Sequence, residues 1–285
     1  MKREDFRMKK KIILFLKYFF ITTFGFLMIY PLLWVFSASF KPNREIFTSF
    51  SLIPHEIVTD SYIKGWQGTG QYTFGRFMLN SFILVIPTVL FTIISSTFVA
   101  YGFSRFNFPL KNVMFGVLIA TLMLPDVVNL VPRYILFNSF GWLNSYKPFI
   151  IPSLFAVTPF FVFMMIQFMR TLPKEVEEAA KIDGCNSLQI LLRIIVPLSK
   201  TAIISMAIFQ FIWTWNDFLN PLIYINSVDK YTVSLGLRMC IDSTTEVNWN
   251  QIMAMTVISL IPCTLIFFSA QKYFVEGIAT TGIKG

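Results

Sequence analysis

The sequence has very little of the residues that metal sites and nucleophilic enzymes use most. Histidine occurs once, at His55, and cysteine occurs only at Cys185, Cys240 and Cys263. A single histidine excludes a histidine-cluster metal site, and three distant cysteines form neither a disulfide framework nor a zinc-binding pattern. An enzyme acting inside a membrane is disfavoured as well, because it would need a serine–histidine pair or metal ligands.

Charged residues are also scarce. Only 14% of the 285 residues are charged, whereas 55% are hydrophobic and 17% are aromatic. Soluble domains carry about 25% charged residues, and the mean hydropathy here is +0.64, so the chain is predicted to be a polytopic membrane protein. The formal net charge of +9 would suit a nucleic acid, but the basic residues follow membrane topology, and no nucleic-acid partner is expected.

Six long runs with no more than one charged residue predict six transmembrane helices, because about 20 residues cross the hydrocarbon core. The predicted fold class is all-α, with one transmembrane domain over residues 18–285 after a basic N-terminus at 1–17. The first run is longer than the core of a signal peptide, about 7–15 residues, and is interpreted as an uncleaved span. The predicted spans are 18–40, 77–104, 112–132, 148–169, 201–225 and 250–271.

The positions of the basic residues indicate which side of the membrane each connection faces. With residues 1–17 inside, the cytoplasmic segments contain sixteen lysine and arginine residues, and the external segments contain eight. This bias has the direction of the positive-inside rule. It places both termini and the loop at 171–199 in the cytoplasm.

The loop at 171–199 predicts two short helices joined by a glycine turn. Pro173, followed by three glutamates, suits a helix N-terminus, and Gly184 suits the left-handed residue that ends a helix. Asn186 or Ser187 then suits the N-cap of a second helix, which Pro197 ends or kinks. On these features alone, an ordinary amphipathic hairpin between two spans is an equally good interpretation.

A more specific pattern runs through this loop. Ala179 and Ala180 are expected on one helix face, where small side chains let another body approach closely. The pattern consists of Glu178-Ala179-Ala180, Asp183-Gly184, Ile194 and Pro197-Leu198. It resembles the cytoplasmic coupling loop, or EAA loop, of type I ABC importer permeases. Cys185 and Lys200 depart from the alanine and proline that are usual in that family.

The resemblance implies that the loop docks into a cleft of an ATPase subunit. The glutamate would meet a basic residue of that subunit, the glycine would set the turn, and Asp183 and the alanine pair would fit the cleft. The residues implied to couple the two subunits are Glu178, Ala179, Ala180, Asp183, Gly184 and Pro197.

Two acidic residues lie inside predicted spans, Asp126 and Asp217. A charged group at the bilayer centre costs about 2.5–3.5 kcal/mol on insertion scales, so such residues usually face a cavity or a partner. At 1.5 Å per residue, Asp126 lies about 20 Å and Asp217 about 24 Å along its helix, in the outer half of the membrane. Together with Asn129 they are candidates for a polar translocation path, and a position at the membrane interface is the alternative.

A cluster of aromatic and amide side chains surrounds the second of these acids. It consists of Trp213, Trp215, Asn216, Asp217 and Asn220. Aromatic faces with amide and carboxyl groups suit the hydroxyl groups and C–H faces of a sugar. Tryptophan also forms belts at membrane interfaces, which is the alternative for this cluster.

The stretch 213–224 and the tail 271–285 resemble the carbohydrate branch of these permeases, in particular the smaller permease of maltose-type transporters. In the tail, Gly277 and Gly282 have the spacing of a phosphate loop. The Lys-Ser/Thr pair and the preceding strand of such a loop are both missing, so no nucleotide site is predicted in this chain.

The resemblance therefore implies a permease subunit, not an enzyme, of an ATP-driven sugar or oligosaccharide importer in the cell membrane of a bacterium or archaeon. Its implied partners are a second permease subunit, two ATPase subunits that bind ATP and Mg, an extracellular binding protein, the sugar and the lipid bilayer. No cofactor is expected in this chain. Importers of amino acids, polyamines or phosphate are the alternative. A secondary carrier is disfavoured, because it would need paired ionisable groups near the membrane midplane.

Overall fold

The computed structural model describes residues 2–68, 71–242 and 247–282, with side chains over 10–68, 71–241 and 247–272. Fourteen α-helices and no β-strand occur in these ranges, which confirms the all-α prediction. The end of the predicted tail, residues 283–285, lies outside the described residues. In chain order the helices are α1 (Lys2–Ala38), α2 (Asp60–Gln67), α3 (Phe74–Arg105), α4 (Lys111–Leu122), α5 (Leu130–Ser139), α6 (Lys147–Ser153), α7 (Pro159–Thr171), α8 (Glu175–Ile182), α9 (Ser187–Ile190), α10 (Val196–Leu198), α11 (Lys200–Asn216), α12 (Leu219–Tyr224), α13 (Val233–Asp242) and α14 (Trp249–Gly282).

Several of these helices are long and apolar enough to cross a membrane. The continuous ones are Lys10–Ala38, Phe74–Arg105 and Trp249–Lys272. Two bent pairs have the same composition: Lys111–Leu122 with Asp126–Ser139, bent by 101°, and Ser187–Leu198 with Lys200–Asn216, bent by 77°. With each pair counted as one span, the described part of the chain has up to five candidates. The count of six spans stays a prediction.

Two of the predicted spans are divided into shorter helices. The run at 112–132 stops being α-helical at Leu122 and passes through a short 3₁₀ turn, Asp126–Asn129, before α5. The run at 148–169 is divided between α6 and α7 by residues 154–158. Pro159 begins α7, as suits a residue that has no N–H to donate. Hydropathy did not predict these breaks because the residues on both sides of each break are apolar.

The run at 201–225 is divided as well. Asp217 has an extended backbone, with φ of −64° and ψ of 121°, and separates α11 from α12. Pro221 follows this break, in the first turn of α12.

The chain forms two compact units, the first made of residues 1–71 and 239–258. In this unit the ammonium group of the buried Lys41 donates to the carbonyl oxygens of Ser49 at 3.1 Å and Ser51 at 2.6 Å. Nearby, a hydrogen bond from His55 lowers the pKa of Glu45. These contacts hold the segment that follows α1 in an ordered loop.

The second unit contains residues 72–238 and 259–285, with α3 as its central helix. Helices α6, α7 and α11 pack against α3. The core continues from the long helices into the loop at 171–199, where Ile190, Leu191 and Ile195 are at most 1% exposed. A fully buried side chain of this size contributes about 1.5–3 kcal/mol. The second half of the loop is therefore held firmly against the long helices.

Candidate functional site

Two features of the second unit are candidate functional sites: the loop at 171–199, called the coupling loop below, and a cavity. The first helix of the loop is α8, which carries three glutamates in its first turn, where the helix dipole favours negative charge. Its N-cap is Lys174, so the prediction that Pro173 begins the helix is wrong by two positions. Asp183 is the C-cap, and its N–H donates to the oxygen of Ala179 at 3.0 Å.

A left-handed glycine ends α8 as predicted. Gly184 has φ of +85°, a value that side chains with a Cβ rarely adopt. Its N–H donates to the oxygen of Lys181 at 3.0 Å, and the N–H of Cys185 donates to the oxygen of Ala180 at 2.9 Å. These two bonds satisfy carbonyl groups that the end of a helix would leave unpaired.

The second helix of the loop starts with a capping box. The N–H of Gln189 donates to the Asn186 side chain at 2.9 Å, and the N–H of Asn186 donates to the Gln189 side chain at 2.9 Å. Of the two candidates for the N-cap, Asn186 is therefore the correct one. Leu191–Ile195 is π-helical, and the bend of 77° follows α10, which contains Pro197. The predicted kink near this proline is confirmed.

Part of the exposed side of α8 is called the docking face below, after the role implied for it by the sequence, and is defined as Val176, Glu178, Ala179 and Ile182. Ile182 is 87% and Val176 43% exposed, and the two other residues are also exposed. Ala180 is 7% exposed and belongs to the core. The expectation that both alanines share one face is wrong, since consecutive residues of an α-helix are about 100° apart. Only Ala179 is available to a partner.

A buried ion pair that the sequence did not reveal joins the coupling loop to α3. Arg105, the last residue of α3, donates through Nε to Glu177 of α8, and their side chains are 7% and 6% exposed. Arg105 Nη2 also donates to the oxygen of Leu172 at 3.3 Å. The sequence indicated this ion pair only weakly, because three glutamates lie close together and nothing in the sequence shows which one is buried.

The second candidate site is a cavity of about 800 Å³ in the second unit. Its wall comes from α3, α4, the 3₁₀ turn, α5, α6, α7, α11 and α12. Four of the predicted path residues line it, namely Asp126, Asn129, Asp217 and Asn220. The cavity therefore brings together polar residues from two separate predicted spans, and their role in a translocation path stays a prediction.

The charged groups of the wall already have hydrogen-bond partners within the chain. Arg133 donates to Asp126 Oδ1 at 3.1 Å. Asp217 accepts from the Asn220 N–H at 3.2 Å and from Asn220 Nδ2 at 2.8 Å, so it also caps the start of α12. Asp217 therefore both caps the start of α12 and lies on the cavity wall. Its role in a translocation path and its position at the membrane interface both stay predictions.

The rest of the predicted aromatic cluster is not part of the wall. Trp215 is 4% exposed, and its Nε1 donates to the oxygen of Ser259 at 3.1 Å. Trp213 packs against the rings of Phe160, Phe161 and Phe209. Asn216 donates through Nδ2 to the oxygen of Ile212 at 2.9 Å. Helical rotation explains this result, because only part of a continuous run of residues can face one cavity.

Sequence reasoning missed several buried polar residues of the wall. Thr92, Gln210 and Tyr224 line the cavity and are between 2% and 9% exposed. They lie within apolar runs and carry no charge, so hydropathy gave no reason to select them. Over the residues with described side chains, no cluster of three or more histidine, cysteine or acidic residues is placed to hold a metal ion.

Comparison with known proteins identifies the class of this chain. Residues 92–280 match the family described as the inner membrane component of binding-protein-dependent transport systems. The arabinooligosaccharides transport system permease protein AraQ of Halalkalibacterium halodurans is 31% identical over 266 residues, which are 92% of this chain and 93% of AraQ. The sn-glycerol-3-phosphate transport system permease protein UgpE of Escherichia coli O1:K1 is 34% identical over 258 residues, which are 88% of this chain and 90% of UgpE.

The fold is also similar to that of a solved structure. The crystal structure of a bacterial ABC transporter involved in the import of the acidic polysaccharide alginate contains a chain that matches with a TM-score of 0.82. That match covers 93% of this chain and 97% of the other, at 20% identity. This chain belongs to the family of inner-membrane components of binding-protein-dependent transport systems. The resemblance to ABC importer permeases and the type I permease fold, both inferred from the sequence, are confirmed.

Proposed function

We propose that the chain is the permease subunit of an ATP-driven importer for a neutral sugar or oligosaccharide. The observation that carries the proposal is the coupling loop, whose docking face is exposed while the adjacent residues are buried in the core. A relative named for arabinooligosaccharide transport supports the substrate class. A relative named for sn-glycerol-3-phosphate makes a phosphorylated substrate the alternative to exclude.

The coupling loop offers a direct route for movement between an ATPase and the long helices. In the proposed mechanism, closure of the ATPase subunits moves α8 through its docking face. The ion pair of Glu177 with Arg105 passes this movement to α3, and the buried Ile190, Leu191 and Ile195 pass it to the core. The long helices then switch between two packing arrangements, which open the cavity to opposite sides of the membrane.

The proposal also includes the assembly and its orientation. A second permease subunit would complete the cavity, two ATPase subunits would bind ATP and Mg, and an extracellular binding protein would deliver the sugar. The chain would lie in the cell membrane of a bacterium or archaeon with both termini and the coupling loop inside. The positive-inside bias of the sequence supports this orientation.

Cysteine labelling tests the orientation. In a variant with the three native cysteines replaced, Lys147→Cys is expected to react with a membrane-impermeant maleimide in intact cells. Ser187→Cys is expected to react only after the cells are permeabilised. Both residues are exposed. Asn144, in the same loop as Lys147, is a poorer labelling site because its side chain accepts hydrogen bonds from two backbone N–H groups.

Labelling of Ser187→Cys in intact cells, at the same rate as Lys147→Cys, would contradict the orientation. The lysed-cell reaction of both variants serves as the control for intrinsic reactivity.

An uptake panel tests the proposed function. Cells that contain either the wild-type chain or Glu178→Lys, at equal membrane abundance, are supplied with a radiolabelled mixture of neutral mono- to tetrasaccharides, with sn-glycerol-3-phosphate, or with amino acids. The variant is expected to lose uptake of the neutral sugars only, because a lysine would set like charge against a basic site on the ATPase.

Loss of sn-glycerol-3-phosphate or amino-acid uptake, with sugar uptake unchanged, would contradict the assignment. Glu56→Lys is the matched control, since Glu56 is an exposed acid outside the coupling loop.

A further inference from the structure

Three polar atoms, each on a residue that lines the cavity, are buried and have no hydrogen-bond partner among the described residues. They are the Thr92 hydroxyl on α3, the Gln210 side-chain oxygen on α11 and the Tyr224 hydroxyl on α12. The residues are 2%, 9% and 2% exposed, respectively. A buried polar group without a partner costs about 1–3 kcal/mol. Three such groups on one wall are therefore expected to have a partner in the working protein.

The arrangement of these groups suits a ligand with several hydroxyl groups. Gln210 donates through Nε2 to the Thr214 hydroxyl at 2.7 Å, which fixes its orientation and leaves its oxygen as an acceptor. The two hydroxyl groups can each donate and accept. Aromatic rings complete the wall and can pack against the C–H face of a sugar ring. They are Phe137, Phe140, Trp142, Phe149 and Phe155.

The charge of the wall argues against an anionic ligand. Its charged residues are Asp126, Arg133 and Asp217, one more acid than base. The Arg133 guanidinium already donates to an Asp126 carboxylate oxygen. A phosphate or carboxylate would meet a wall of net negative charge, which repels an anion.

We infer that Thr92, Gln210 and Tyr224 form a subsite for an uncharged, hydroxyl-bearing ligand, a neutral sugar, within this subunit itself. The inference rests on the proposed function and adds the residues and the charge class of the substrate. In an importer supplied by a binding protein, the subsite acts after the sugar has been released into the cavity. Its loss should therefore lower the maximal uptake rate more than it changes the half-saturation constant.

The test uses three substitutions that remove one polar group each and keep the volume similar: Thr92→Val, Gln210→Leu and Tyr224→Phe. Each is made in the full transporter and assayed with the radiolabelled mixture of neutral mono- to tetrasaccharides. We expect the maximal uptake rate to fall about fivefold or more in each variant, as for the loss of one hydrogen bond to substrate. Thermal stability in detergent should be unchanged or higher, because each change removes an unpaired buried polar atom.

Thr97→Val is the matched control. Thr97 lies on the same helix α3, is 4% exposed and also has a hydroxyl without a partner among the described residues, but it does not line the cavity. Its uptake rate is expected to stay at the wild-type value. Equal effects of Thr92→Val and Thr97→Val, or no loss of rate in the three cavity variants, would overturn the subsite.

The same experiment separates this inference from the proposed function. Wild-type cells that do not take up the neutral mixture would contradict the function itself. Wild-type uptake with unaffected cavity variants would leave the function intact and remove only the subsite. Uptake of sn-glycerol-3-phosphate in place of the neutral mixture would overturn the charge class.

Discussion

Glu177→Gln is expected to destabilise the protein strongly, whereas Glu178→Gln is expected to leave stability unchanged and to weaken ATPase binding. The two glutamates are neighbours in α8, but Glu177 is 5% exposed and paired with Arg105, while Glu178 is exposed. Removing one member of a buried pair typically costs about 3–5 kcal/mol, because the remaining charge stays buried without a partner. An exposed substitution usually changes stability by about 0.5 kcal/mol or less.

The measurement pairs thermal stability in detergent with co-purification of the ATPase subunits. Glu177→Gln should lower the unfolding temperature, and Glu178→Gln should lower only the amount of ATPase recovered. Glu175→Gln, in the same turn, controls for the loss of a negative charge near the helix N-terminus. Equal stability of the Glu177→Gln and Glu175→Gln variants would contradict the importance of the ion pair.

A double substitution separates the effect of the paired charges from the effect of side-chain packing at this contact. Replacing both partners, as Arg105→Met with Glu177→Leu, should recover most of the stability lost in Glu177→Gln, since an apolar pair of similar size leaves no unpaired charge. If the pair also transmits movement, sugar uptake in the double variant should recover less than stability does. A recovery of stability without an equal recovery of uptake would show that the ion pair between α3 and α8 contributes to transport itself.

The local structure of the coupling loop could be predicted from the sequence because it depends on a few residues with strong conformational preferences. Gly184 takes the left-handed conformation and Asn186 caps the next helix, as expected from their types. Both effects involve neighbours only a few residues away. The burial of Glu177 could not be predicted in this way, because its partner, Arg105, is 72 residues distant in the chain.

Hydropathy located the apolar runs but not the breaks within them. The bend of 101° after Leu122 and the interruption at 154–158 both lie inside runs of apolar residues. The cavity wall depends on these breaks, since Asp126 and Asn129 reach it from the 3₁₀ turn between α4 and α5. The wall was therefore only partly predictable, and its neutral residues, such as Gln210, were the least predictable of all.

Gly184→Val is expected to disable coupling through the backbone alone. A Cβ at this position would meet no atom within 4 Å, so the substitution creates no clash. Gly184 nevertheless has φ of +85°, which a β-branched residue resists at a cost of about 1–3 kcal/mol. The turn between α8 and α9 should shift as a result, moving the docking face relative to the core. We expect ATPase co-purification and sugar uptake to be lost while membrane abundance stays normal.

Two further variants test this explanation. Gly184→Asn should retain most of the activity, because asparagine adopts positive φ more readily than other residues with a side chain. Gly141→Val should impose a similar strain elsewhere, since Gly141 has φ of +64° and also has open space around its Cβ position. ATPase recovery close to the wild-type value is expected for Gly141→Val, because Gly141 lies outside the coupling loop. Equal losses of ATPase in Gly184→Val and Gly141→Val would mean that general instability, and not the geometry of the coupling loop, causes the defect.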